Sequence, residues 1–160
     1  MKILLFIGII SFLHFSCNEK DQSEEKLDSS DALKVYKSIG AISKDTKLEN
    51  IGNCLVIPID LGCETCIKSA LNFTKANTNP SNLVIITSQS ANSLTNKLKV
   101  NDFTLKDFTS KNIVLDTSNQ CFKSQVSDVT PIIYKISDKK AERRIMLYAA
   151  SVNEQLEKIK

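Results

Sequence analysis

Residues 53–73, NCLVIPIDLGCETCIKSALNF, constrain the fold more than any other stretch of the chain. Residues 54–59 form an apolar run, the pattern of a strand buried in a parallel sheet. Asp60, Leu61 and Gly62 break it, and Cys63-Glu64-Thr65-Cys66 opens the next element. From Cys66 onward, Ile67, Ala70, Leu71 and Phe73 fall at helical spacing. A C-x-x-C therefore stands where a strand turns into a helix, with Cys63 at the helix N-terminus.

That placement has a chemical consequence. Unpaired backbone N–H groups and the helix dipole favour negative charge, so the Cys63 thiolate is stabilised relative to the thiol. Cys66 lies one turn in, beside the apolar face, and is more shielded. Such a pair suits disulfide exchange, with Cys63 attacking and Cys66 resolving. A strand-loop-helix C-x-x-C of this kind resembles the thioredoxin superfamily.

Residues 1–16 have the organisation of a targeting segment: Lys2, then an apolar stretch over 3–15 that is short for a membrane span. It ends Leu13-His14-Phe15-Ser16-Cys17, which resembles a bacterial lipoprotein signal. That resemblance implies a lipid on Cys17, which becomes the first mature residue, and a membrane anchor through it. An ordinary secretory signal cut near Ser16 is the alternative. Either route carries the chain to a compartment where disulfides persist. Residues 18–30 hold one apolar residue among many charges, a composition that predicts a flexible acidic tether over 17–30. An acidic stretch behind a lipidated cysteine also resembles surface-export signals of some lipoproteins, so the expected location is periplasmic or cell-surface.

Residues 31–160 have the length of one domain. The 21 Lys and Arg and 18 Asp and Glu are interspersed, so no basic stripe argues for nucleic acid. The one histidine lies in the targeting segment, which removes histidine-based triads and His-containing zinc sites from the domain. Neither a metal nor another cofactor is expected. The pattern then predicts a helix over 31–39 capped by Ser30, a strand over 83–87, and a helix over 90–98. A short strand over 113–116 and a helical stretch within 117–125 come next. A strand opening at Val129-Thr130-Pro131, a hairpin arm over 144–148 and a helix from Ser151 to Ile159 complete the chain. Strand-helix-strand implies a parallel pair with a right-handed crossover. The expected class is α/β, a central mixed sheet flanked by helices.

This order, with Thr-Pro at a strand start before a hairpin and a C-terminal helix, is similar to the thioredoxin pattern over nearly the whole domain. The extra strand at 113–116 is similar to the membrane-tethered TlpA-like thiol-disulfide oxidoreductases and related peroxiredoxins. In that superfamily the proline matched by Pro131 is cis and packs beside the redox disulfide. The backbone of Thr130 then faces the cysteines, where a substrate strand can pair. The resemblance implies Cys63 and Cys66 as the catalytic pair and Thr130 and Pro131 as the substrate-docking residues. It also implies extracytoplasmic protein thiols or disulfides as partners, together with an unidentified redox donor.

The chain departs from the family in two places. Gly62 stands where an aromatic usually precedes the first cysteine, and the chain has no tryptophan. Ile57 stands where many thioredoxins carry a buried acid. Asp60 and Glu64 are left as the acids that tune the site, Asp60 expected to be a solvated loop residue. Glu64 places negative charge beside Cys63, opposing the helix dipole and favouring a reducing couple. Cys54 starts a strand whose far end leads to Cys63, ~20–30 Å away, and reads as a buried free thiol. Cys121 reads as a packed helical cysteine, with an exposed third redox thiol as the alternative. Pro58 lacks the spacing to Cys63 or Cys66 that a peroxidatic cysteine needs. Two functions fit these features: a lipid-anchored oxidoreductase, or a non-catalytic thioredoxin-like binding lipoprotein with an inert C-x-x-C.

Overall fold

The computed structural model describes residues 24–77 and 79–160. The targeting segment and Cys17 lie outside the described residues. Six strands form one mixed sheet in the order β1-β6-β5-β2-β3-β4. The central strand is β2 (Asn53–Pro58), and β3 (Asn82–Thr87) and β4 (Ile113–Asp116) extend parallel from it. On its other side β5 (Ile132–Ser137), β6 (Lys140–Met146) and β1 (Glu24–Lys26) run antiparallel, each to its neighbour.

The apolar run of β2 is buried because helices cover both faces. Leu55, Ile57 and Ile59 face one core with Cys66, Ile67 and Leu71 of α2 (Glu64–Ala76). Leu94 and Leu98 of α3 (Ala91–Val100) and Val152 and Leu156 of α5 (Val152–Glu157) join it. Cys54 and Val56 point the other way, into a core with Val35 and Ile39 of α1 (Ser29–Ile42) and Cys121 of α4 (Gln120–Lys123). Alternation with period two thus persists along a strand whose sequence is uniformly apolar. The α/β class and the mixed sheet flanked by helices are as expected.

Several boundaries differ from the expected ones. The first helix begins at Ser29, and its cap is Asp28, whose carboxylate accepts from the Ser30 and Asp31 N–H groups. In the charged stretch before it, Glu24–Lys26 is an edge strand paired with β6, where a flexible tether was expected. Composition misled here because edge pairing, cross-strand ion pairs from Arg143 and Arg144 to Glu24 and Glu25, and the packing of Leu27 order it. The hairpin arm starts at Lys140, earlier than expected. Asp138 and Lys139 form its turn in left-handed conformations that match the strand twist.

All described peptide bonds are trans, Thr130–Pro131 included, which corrects the cis form that the resemblance implies. Trans is the lower-energy isomer, and a proline just ahead of a strand has no N–H to leave unpaired.

Candidate functional site

The site is built at the end of β2. Cys63 is the N-cap of α2, and its sulfur accepts the Cys66 N–H at 3.3 Å. Cys63 and Cys66 are joined in a disulfide with their Cα atoms 5.2 Å apart. The two sulfurs are not equivalent. Cys63 is half-buried, whereas Cys66 is fully enclosed with Ile57, Ile59 and Leu71. An incoming thiolate can reach only the first. Glu64 occupies the first helical position, exposed beside Cys63.

Two contacts fix the loop that carries Cys63. Asp60 Oδ2 accepts from Ser88 Oγ at 2.8 Å and from the Gln89 N–H at 2.7 Å, and Oδ1 accepts from Ser93 Oγ. Asp60 is therefore no freely solvated loop residue: it ties the loop to the start of α3. Its burial pushes the carboxyl pKa up, but the bonds from Ser93, Gln89 and Ser88, with the nearby Lys97 charge, hold it below the usual carboxylate range. An acid held ionised in this way is a poor proton acceptor for a thiol at neutral pH.

Gly62 is the second contact. Its φ is +85°, and a Cβ added there would lie 1.5 Å from the Val129 carbonyl oxygen. The Val129–Thr130 peptide thus occupies the space a side chain at position 62 would need, and only glycine permits the approach. This brings the Thr130-Pro131 segment against the residue preceding Cys63. Thr130 and Pro131 are buried, and the Pro131 carbonyl accepts the Leu147 N–H at 2.9 Å. Among the described residues neither the N–H nor the carbonyl of Thr130 pairs with another backbone group. Cys63, Cys66, Asp60, Glu64, Thr130 and Pro131, separated by up to 71 positions, are thus gathered at one end of the sheet.

Sequence reasoning missed the apolar rim. Leu61 and Phe122 flank one cleft near Asp60, and Val129 sits over Gly62; these side chains are 36%, 50% and 51% exposed. The one signal was Gly62 itself, a residue type that permits the close backbone approach of Val129. On the opposite side of the loop a cavity of about 230 Å³ opens between Asp60, Gly62, Glu64, Ile67 and Lys97. A groove of about 740 Å³ between α1 and residues 122–128 includes none of the six site residues.

Cys54 and Cys121 are free thiols, both completely buried in the second core. Burial pushes both thiol pKa values far up; for Cys121 the neighbouring Asp116 carboxylate adds to the effect. Asp116 instead supports α4, accepting from the Cys121 N–H and Thr87 Oγ1 at 2.8 Å each. Comparison with family models, curated proteins and solved structures finds no match to this chain.

Proposed function

We propose that this protein is a lipid-anchored, thioredoxin-like thiol-disulfide oxidoreductase acting on extracytoplasmic proteins through Cys63 and Cys66. The observation that carries the reading is the asymmetry of the disulfide: a reachable Cys63 at a helix start, an enclosed Cys66, and the unpaired Thr130 backbone alongside. Lipid on Cys17 supplies the anchor, in the periplasm or at the cell surface.

In the reducing direction the Cys63 thiolate attacks one sulfur of a substrate disulfide. A Cys63–substrate S–S bond forms, the substrate bond breaks, and the departing sulfur takes up a proton. Cys66 then loses its proton and attacks Cys63 Sγ. The intramolecular disulfide closes, and the second substrate sulfur leaves as a thiolate that takes up the proton Cys63 released on ionising. The substrate gains two electrons and two protons, and the Cys63–Cys66 pair loses them; an external dithiol restores it. Thr130 holds the substrate strand by backbone pairing, and Leu61, Phe122 and Val129 offer it apolar contact. Glu64 and the ionised Asp60 both disfavour a thiolate at Cys63, which makes the couple reducing.

Ile57, buried with Cys66 where the family carries an acid, favours a second reading: a binding module whose disulfide is structural. Trapping separates the two. With Cys66→Ala expressed in its own compartment, the first reading expects mixed disulfides on non-reducing gels that disappear when Cys63 is also replaced. Their absence, with Cys63 of the reduced chain unreactive toward an added disulfide, would establish the binding module.

A further inference from the structure

The strand directions determine from which end of the domain the N-terminal segment departs. β2 runs toward the disulfide, and β5 runs against it, with Ile132 opposite Val56 and Lys135 opposite Asn53. β6 returns toward the disulfide end, placing Met146 opposite Ile132. β1 is antiparallel to β6, with Glu24 opposite Ile145 and Lys26 opposite Arg143. Following the chain backwards from Lys26 to Glu24 therefore leads toward the end that carries Cys63. Glu24 lies level with Ile145, Ile133 and Leu55, three strand spacings or about 14 Å across from β2.

Pairing of β1 also sets the reach. Cys17 precedes Glu24 by seven positions (24 − 17), at most about 25 Å of chain. A tether free as far as residue 31 would reach about 50 Å, beyond the roughly 35–40 Å breadth of a domain this size. Such a domain could present any face to its anchor. With β1 paired, it cannot.

We propose that β1 is a strap that turns the disulfide end of the domain toward the anchoring membrane. The exchange partners are then protein thiols and disulfides held at that membrane surface, not ones free in the surrounding compartment. The inference rests on the anchor at Cys17 proposed above. Its attachments suit a strap that can release. β1 is three exposed residues long, held by the Arg143–Glu24 and Arg144–Glu25 ion pairs, which salt screens. Behind it the Leu27 N–H donates to the Glu142 carbonyl at 3.0 Å, and the Leu27 side chain packs on the second core.

The test uses the full lipidated chain in vesicles of phosphatidylethanolamine and phosphatidylglycerol that contain headgroup-spin-labelled lipid. A fluorophore is placed on Cys63 in Cys66→Ala, or on the hairpin at the opposite end through Ser137→Cys in Cys63→Ala/Cys66→Ala. The strap predicts several-fold stronger quenching at Cys63 than at position 137. Arg143→Glu/Arg144→Glu should abolish the difference, and adding Glu24→Arg/Glu25→Arg should restore it. Equal quenching in the otherwise unaltered chain, stronger quenching at position 137, or a difference that survives the charge reversal overturns the strap. Flotation tells the failures apart: a chain that does not float with the vesicles removes the anchor and the strap together. The labels read distance and not exchange, so the result does not depend on the redox reading.

Discussion

Replacing Gly62 by alanine should destabilise the domain by about 2–6 kcal/mol. The magnitude has two sources. A side chain held at φ +85° costs about 1–3 kcal/mol of backbone strain. The new methyl would also lie 1.5 Å from the Val129 oxygen and 2.7 Å from its carbonyl carbon, so the Val129–Thr130 peptide must move, at about 1–3 kcal/mol more. Backbone cannot swing aside as the end of a long side chain can. Thermal and urea unfolding of the mature oxidised chain would read the loss, as a fall in Tm of about 6–18 °C with an unchanged urea m-value. Mixed-disulfide yield should fall too, because the docking backbone is displaced. Gly62→Trp, which installs the aromatic of the resembled family, should be worse. An alanine variant within about 0.5 kcal/mol of the parent would refute the close approach on which the site's geometry rests.

Other perturbations bear on the same contacts. With the disulfide reduced, a maleimide should modify Cys63 first and leave Cys54 and Cys121 untouched until the protein unfolds, since burial keeps both thiols protonated; native labelling at either would contradict the packing. Asp60→Asn should weaken the loop's tie to α3 by about 1 kcal/mol, the site being largely solvent-facing, and should shift the redox potential of the Cys63–Cys66 couple upward; a potential that does not move would remove Asp60 from the tuning. Asp60 and Asp116 are both held below the ordinary carboxylate value in the fold, so the stability they confer is complete above about pH 4 and is lost as the pH falls through their folded values. Acid titration of Asp60→Asn and Asp116→Asn should accordingly give shallower losses below pH ~4 than the parent, and parallel curves would count against these hydrogen bonds. Asp116→Ala should further destabilise α4 by about 1–2 kcal/mol, visible as faster hydrogen exchange at Cys121.

Much of the framework was legible because it is local. The period and the breaks of residues 53–76 announce a strand, a turn and a helix, and the disulfide pair needs only a spacing of three to close across the helix start. Helix ends were less legible. Ser30 reads as the cap, but Asp28 is the cap, its carboxylate turned back onto the Ser30 and Asp31 N–H groups. The edge strand was hidden for another reason. Glu24 and Glu25 are poor strand formers taken alone, and their partners, Arg143 and Arg144, lie 119 positions away in each case.

What the sequence determined by itself is the chemistry available: a C-x-x-C at a helix N-terminus, an acid on either side of Cys63, and no histidine in the domain. Those come from residue identity and short-range periodicity, which act over a turn or a strand. Tertiary structure alone decided how that chemistry is presented. It put Asp60 in the grip of Ser88 and Ser93, pressed the Val129 carbonyl onto Gly62 and folded Glu24–Lys26 onto the sheet edge. Each of these joins residues far apart along the chain. Their stability comes from backbone pairing and close packing, which exist only after the sheet has brought the partners together.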